Sequence, residues 1–177
     1  MRIIAGTHKG HTIHAPRGRD TRPTSDRVRE NVFNIVGPVD GAYVLDLYAG
    51  SGAMGLEALS RGAAKAVFVE READAVRAIE RNLDKLRLSG TIVRQDAVTA
   101  LAMEAGAGRK YDLVLVDPPY DMYNDVQPQL ARYLPALLNA DGLLVLETDV
   151  RVEPELPLTQ RTSRKYGQAR ITIYESG

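Results

Sequence analysis

Four consecutive residues of this 177-residue chain, Asp117-Pro118-Pro119-Tyr120, combine groups suited to holding and activating an amine. The prolines fix the backbone and remove two N–H donors, so their carbonyls can face a ligand without competing turn bonds. Asp117 and the Pro118 carbonyl can accept the two hydrogens of an exocyclic amine, and the Tyr120 ring offers a face on which a base can stack. Such an amine is a poor nucleophile because its lone pair is delocalised into the ring. Two acceptors set out of the base plane favour a pyramidal nitrogen and stabilise the positive charge that grows on it during alkylation. Taken alone, the four residues also fit a rigid strand-end turn with a packed tyrosine.

A second constellation lies upstream. Ala49-Gly50-Ser51-Gly52-Ala53-Met54-Gly55 follows an apolar run and fits G-x-G-x-x-G between a strand and a helix, a loop that lets a ligand approach the backbone N–H groups of a helix start. Glu70 stands twenty residues after Gly50, the spacing at which a carboxylate accepts both hydroxyls of an adenosine ribose. A dinucleotide and S-adenosylmethionine both satisfy this much. Asp46, four residues before Gly50, separates them: Asp-Leu-Tyr-Ala-Gly-Ser-Gly resembles the first motif of Rossmann-like methyltransferases, where that acid faces the methionine ammonium. Asp96, in Gln95-Asp96-Ala97, puts a carboxylate where an adenine amine would lie. The candidate donor site is thus Asp46, Tyr48, Gly50, Gly52, Glu70, Arg71, Asp96, Ala97 and Asp117, and the candidate catalytic residues are Asp117, Pro118 and Tyr120.

These residues need elements that bring them together. Apolar runs at 43–48, 66–70, 91–94, 113–117 and 143–147 read as strands buried on both faces, and residues 52–61, 72–88, 97–105 and 123–138 read as intervening helices, with Pro128 kinking or starting the last. Alternation of this kind predicts an α/β fold with a Rossmann-like, doubly wound, mostly parallel sheet. Segments 160–165 and 168–174 around Tyr166-Gly167 predict an antiparallel hairpin closing one edge. Residues 1–37 read as a separate extension: a small hairpin of residues 3–5 and 12–14, a Pro/Gly/Arg stretch, then a helix capped by Thr24 or Ser25 with Val28, Val32, Ile35 and Val36 on its apolar face. The expected division is an RNA-recognition extension over 1–37 and a methyltransferase domain over 38–177. On this reading, removal of residues 1–20 should leave a folded protein.

Charge is distributed unevenly under a formal net charge of zero. Residues 1–37 carry seven Lys/Arg against three acids, residues 161–177 four against one, and the middle has an excess of seven acids. Basic ends on an acidic body suit a partner with phosphates. Arg22, Thr24, Arg27, Arg29, Arg164 and Lys165 are the candidate RNA contacts, with pairing of Arg22, Arg27 and Arg29 to Asp26 and Glu30 as the alternative. The chain has no cysteine and no apolar stretch of membrane-spanning length, which excludes disulfides and thiolate metal sites and points to the cytoplasm.

The chain resembles the bacterial 16S ribosomal RNA guanine-N2 methyltransferases of the small-subunit methyltransferase D type. The resemblance rests on Arg2-Ile3-Ile4-Ala5-Gly6, on the block from Arg22-Pro23-Thr24-Ser25-Asp26-Arg27 to Asn34, on Asp46 to Ala63, and on Asp117-Pro118-Pro119-Tyr120. It implies transfer of a methyl group from S-adenosylmethionine to the N2 amine of one guanine in 16S rRNA, with S-adenosylhomocysteine as product and no metal. The expected partner is the small ribosomal subunit or its assembly intermediate, met by a monomeric enzyme. Adenine-N6 methylation of DNA or RNA, a dinucleotide oxidoreductase and a non-catalytic RNA-binding assembly factor are the competing readings.

His8, His11 and His14 fall outside that resemblance. In a strand, His8 and His14 would share a face and His11 would oppose them, which suits exposed RNA contacts better than a metal site. Glu147 reads as a strand-end acid paired with a basic side chain of the tail, in preference to an acid near the substrate.

Overall fold

In the computed structural model, which describes residues 1–16 and 25–176, the first helix is capped by Ser25, whose Oγ accepts the Val28 N–H at 3.2 Å. This helix, α1 (Asp26–Val36), ends where Gly37 adopts a left-handed φ of 84°. Thr24, the alternative cap, lies outside the described residues. The alternating pattern then follows as β1 (Tyr43–Leu47), α2 (Ala53–Ser60), β2 (Lys65–Val69), α3 (Ala73–Leu86), β3 (Thr91–Val93), α4 (Ala97–Gly106) and β4 (Tyr111–Val116). A 3-10 turn (Tyr120–Met122) leads into α5 (Tyr123–Tyr133), and a second (Leu134–Leu137) leads into β5 (Leu138–Asp149). The hairpin of β6 (Thr159–Tyr166) and β7 (Ala169–Glu175) completes the chain.

The helix expected over 123–138 is therefore shorter. Pro128 sits inside α5, and the tighter 3-10 turn, with Pro135 in its first turn, replaces the last α-helical turn.

The seven strands form one sheet in the order β3-β2-β1-β4-β5-β7-β6, with β5–β7 and β7–β6 antiparallel and the rest parallel. Its central strands are apolar on both faces because each face is covered. Val44 belongs to a buried cluster with Val32, Phe33, Leu56 and Ile79, so α1, α2 and α3 cover that side. Leu45 and Leu47 join Leu101, Leu130 and Leu134, so α4, α5 and the second 3-10 turn cover the other.

The predicted N-terminal hairpin is minimal and shifted by about two residues: Arg2 and Thr12 form an antiparallel bridge, flanked by bonds from the Ile3 N–H to the His11 carbonyl at 2.9 Å and from the Ile13 N–H to the Met1 carbonyl at 3.0 Å. Ile3 and Ile13 are buried in the cluster that holds Val32, Phe33 and Val44, so the described part of residues 1–37 shares its core with the sheet. Docking onto α2 is polar and close. Glu57, wholly buried, accepts the N–H groups of Ile4 at 2.9 Å and Ala5 at 3.1 Å. Ser60 Oγ accepts the His8 N–H at 3.0 Å and donates to the Ala5 carbonyl at 2.6 Å. A Cβ on Gly6 would lie 1.8 Å from the Ser60 carbonyl oxygen, so only glycine permits this approach. Removing residues 1–20 would strip donors from a buried carboxylate and expose core, and the expectation of an undisturbed fold is withdrawn.

Candidate active site

The strand order reverses between β1 and β4, and the carboxyl ends of these two strands open into a cleft of about 850 Å³, the place where open α/β sheets hold ligands. The loop after β1 makes one wall. Tyr48, Gly50 and Gly52 take left-handed φ values of 58°, 59° and 81°, which turns the chain sharply into α2. Tyr48 does this without being glycine, a strained conformation of the kind found at functional sites. A Cβ on Gly50 would meet nothing within 4 Å, whereas on Gly55 it would lie 2.4 Å from Phe68. Gly50 thus leaves room beside the cleft, and Gly55 lets α2 pack on β2. Gly52 does not line the cleft; it precedes α2 and packs against Phe68 and Ile79, so its part is to turn the backbone.

Asp46 lies beneath this loop. It is 4% exposed, and its Oδ2 accepts the Gly55 N–H at 3.0 Å. Burial pushes its pKa up to about 8, partly offset by the Gly55 hydrogen bond and reinforced by the nearby charge of Glu70. A buried carboxyl of this kind gains its charge most readily when a cation lies opposite. Glu70 uses both oxygens to brace the wall: Oε1 accepts from Gly50 N–H and Oε2 from Glu72 N–H, each at 2.9 Å. Each carboxylate oxygen has two lone pairs, so a diol can still be accepted alongside these bonds.

Asp96 has a second task that its spacing did not announce. Its Oδ2 accepts the Thr99 N–H at 3.1 Å and caps α4, while Oδ1 lies 3.8 Å from Arg71 Nη1 at the rim. Ala97 and the half-buried Tyr48 complete this side, where burial and the charge of Asp96 push the Tyr48 phenol up to about 12 against the pull of Arg71.

Asp117-Pro118-Pro119-Tyr120 follow β4, all four lining the cleft. The Pro119 carbonyl accepts the Met122 N–H at 2.9 Å in the 3-10 turn, so it is Pro118 whose carbonyl the amine-holding arrangement requires. Asp46 pairs with Leu115 across β1 and β4, and Asp117 follows Leu115 by two residues, so both acids point to the same face. The floor is apolar, formed by Leu115, Val145 and Ile171. Met1, Ala15, Pro16 and Val32 also line the cleft, contributions from the N-terminal segment and α1 that no sequence spacing signalled.

Glu147 lines the cleft as well. Pairing with β7 extends β5 to Asp149, so Glu147 is an interior strand residue facing the cleft and not a strand-end acid.

The basic residues separate. Arg29 is wholly buried: Nε lies 3.3 Å from Glu57 Oε1, and Nη2 binds Asp26 Oδ1 at 2.9 Å and the Arg2 carbonyl. It is thus withdrawn as an RNA contact, because an arginine enclosed by carboxylates and backbone cannot reach a phosphate. Arg27 is exposed on α1, and Arg22 lies outside the described residues. Arg164 and Lys165 are exposed on β6. Arg164 pairs with Ile171, placing it on the cleft's face of the sheet, whereas Lys165 pairs with Arg170 on the other.

His8 is occupied structurally. Its Nε2 donates to the Leu86 carbonyl at 2.7 Å, and its Nδ1 is hydrogen-bonded to the Thr7 hydroxyl at 2.7 Å. The described residues contain no group of three or more His, Asp or Glu able to hold a metal, and no helix long and apolar enough to cross a membrane.

Strand order, glycine loop and the acid-Pro-Pro-Tyr wall together define a Rossmann-like methyltransferase fold. The family model described as "Conserved hypothetical protein 95" matches residues 1–175, and the chain belongs to that family. It is 38% identical to the "Putative rRNA methyltransferase YlbH" of Bacillus subtilis, over 99% of this chain and 98% of the relative. It is 37% identical to the ribosomal RNA small subunit methyltransferase D of Escherichia coli strain K12, over 88% of this chain and 75% of the relative. The solved hypothetical protein TTHA0928 of Thermus thermophilus superposes with a TM-score of 0.84 at 31% identity, covering 99% of each chain.

Proposed function

We propose that the protein transfers a methyl group from S-adenosylmethionine to the N2 amine of a guanine in 16S rRNA of the small ribosomal subunit. One observation carries this reading: Asp46, Gly50 and Glu70, which suit the donor, and Asp117 and Pro118, which suit an amine, line one cleft at adjacent strand ends. The names of the relatives above support rRNA as the substrate class.

The residues present fit the donor. Asp46 is a buried acid suited to an ammonium, Glu70 keeps acceptor capacity for a ribose, and Gly50 leaves space where a side chain would intrude. When bound, the donor supplies a methyl carbon made electrophilic by its sulfonium, whose S–C electron pair returns to sulfur as S-adenosylhomocysteine forms. Asp117 and the Pro118 carbonyl accept the two amine hydrogens and turn the nitrogen lone pair out of the ring plane. Tyr120 stacks on the base and restrains it. As the new N–C bond forms, the negative charge of Asp117 stabilises the growing positive charge on nitrogen and then accepts the proton that nitrogen releases. The apolar floor excludes water from the line of attack.

The test is incubation of the protein with methyl-labelled donor and small subunits lacking the modification, followed by mass spectrometry of the digested 16S rRNA. N2-methylguanosine at one position is expected. N6-methyladenosine would replace the reading with adenine methylation, and RNA binding without any transfer would replace it with an assembly factor.

A further inference from the structure

We propose that Glu147 selects the base, by accepting the N1–H of guanine while Asp117 and Pro118 hold its N2 amine. This inference rests on the function proposed above and names the group that makes guanine the substrate. Holding an amine does not by itself distinguish guanine from adenine, since each has one. The bases differ at the neighbouring ring nitrogen: guanine presents a donor, N1–H, where adenine presents a bare acceptor. A discriminating site therefore needs a second acceptor beside the first.

Glu147 stands in that position. Val116 of β4 pairs in parallel with Leu146 of β5, and Asp117, just past the end of β4, and Glu147, within β5, come next. Continued by one residue, that register puts the two on the same face of neighbouring chain segments, with their carboxylates on the same side. Both line the cleft. Val145 precedes Glu147 on the same face and Ile171 pairs with it from β7, both buried, with Arg164 of β6 next in that row. Two neighbouring carboxylates present acceptors side by side, and a ligand edge with adjacent N–H donors matches them. The Watson–Crick edge of guanine, N1–H beside N2–H, is such an edge. Adenine would turn its N1 lone pair toward the Glu147 carboxylate, an unpaired and repulsive contact of the kind that gives the strongest rejection of a wrong substrate.

The discriminating probe is 2-aminopurine, which keeps the amine at C2 but has an acceptor at N1. Small subunits are rebuilt with 16S rRNA carrying either guanine or 2-aminopurine at the mapped position, and kcat/KM is measured for wild type, Glu147→Gln and Glu147→Asp. The ratio of variant to wild type on each base cancels the intrinsic reactivity of the two amines. Wild type should methylate guanine and reject 2-aminopurine. In Glu147→Gln the amide can donate to a bare N1, so the preference for guanine should fall on the order of 100-fold. Glu147→Asp withdraws the carboxylate by one methylene, and should slow guanine turnover while still rejecting 2-aminopurine. Donor affinity and melting temperature serve as folding controls. A guanine preference unchanged in Glu147→Gln, or wild type that accepts both bases alike, overturns the role of Glu147 and leaves the proposed activity standing. Wild type that transfers no methyl to guanine overturns the activity and this assignment with it.

Discussion

The amide of Asn82 pairs with the backbone of His14 as a neighbouring strand would: Oδ1 accepts the His14 N–H at 2.6 Å and Nδ2 donates to the His14 carbonyl at 3.0 Å. The same Nδ2 donates to the Ser51 carbonyl at 3.0 Å. One wholly buried side chain on α3 therefore ties the N-terminal segment to the glycine loop. Asn82→Ala would take this donor from the buried Ser51 carbonyl, at a cost of about 1–3 kcal/mol, and would release the more exposed His14 backbone at a smaller one. A lowered melting temperature is expected together with weaker donor binding, measured by calorimetry. Loss of stability with unchanged donor affinity would limit the latch to the N-terminal segment.

Arg29 and Arg27 should behave oppositely. Arg29→Ala leaves Glu57 buried with one cation fewer, although Arg61 Nε still lies 2.9 Å from it, and breaking a buried pair costs about 3–5 kcal/mol. Its melting temperature should fall, with no change in the salt dependence of RNA binding where it stays folded. Arg27→Ala should leave melting unchanged. If Arg27 meets a phosphate, the slope of log affinity against log salt should flatten by about 0.7, the single-strand value for one contact.

The raised pKa of Asp46 has two pH consequences. From the ordinary 3.8 up to about 8, the folded protein keeps a proton that the unfolded chain has lost, so this group lowers ligand-free stability as pH rises through that window. Asp46→Asn has no such proton, and its melting temperature should gain on wild type steadily from pH 4 to pH 8. At about pH 6.5, where an α-amino group is still cationic, donor binding should release a proton from wild type and none from the Asn variant. Calorimetry in buffers of different ionisation enthalpy reads this directly. Equal proton release from both proteins would remove Asp46 from the ammonium site. Asp46→Asn should also weaken donor binding by about 1–3 kcal/mol.

Tyr120→Phe keeps a stacking face and should retain most activity, whereas Tyr120→Ala should lose about 1–3 kcal/mol of base stacking. RNA affinity and turnover measured together check this, and a Phe variant as impaired as Ala would assign the work to the hydroxyl.

What could be read from the sequence was local. Strand and helix alternation, the Asp46-to-Gly55 loop, Glu70 twenty residues after Gly50, and the tail hairpin all depend on short spacings, and the structure has each element within a few residues of its expected place. What escaped depends on distant pairs. Arg29 reads as a phosphate contact because its partner Glu57, twenty-eight residues on, looks like one more polar residue of a helix. Asn82 carries no local signal of its tie to His14, because that partner is sixty-eight residues away. Glu147 reads as a strand end because the apolar run stops there, yet pairing with β7 carries β5 two residues further.

On the proposed mechanism Asp117, although counted by sequence among the candidate donor residues, acts on the amine and not on the donor. The most direct test is the single-turnover rate of methyl transfer to small subunits by wild type, Asp117→Asn and Asp117→Ala, with donor affinity measured for each. The account predicts near-unchanged donor affinity throughout, a rate loss of roughly 100-fold or more for Ala, comparable to removing a preorganised electrostatic group, and substantial activity for Asn, whose amide oxygen still accepts from the amine. An Ala variant that transfers methyl at the wild-type rate, or one that loses rate only by losing the donor, would contradict it.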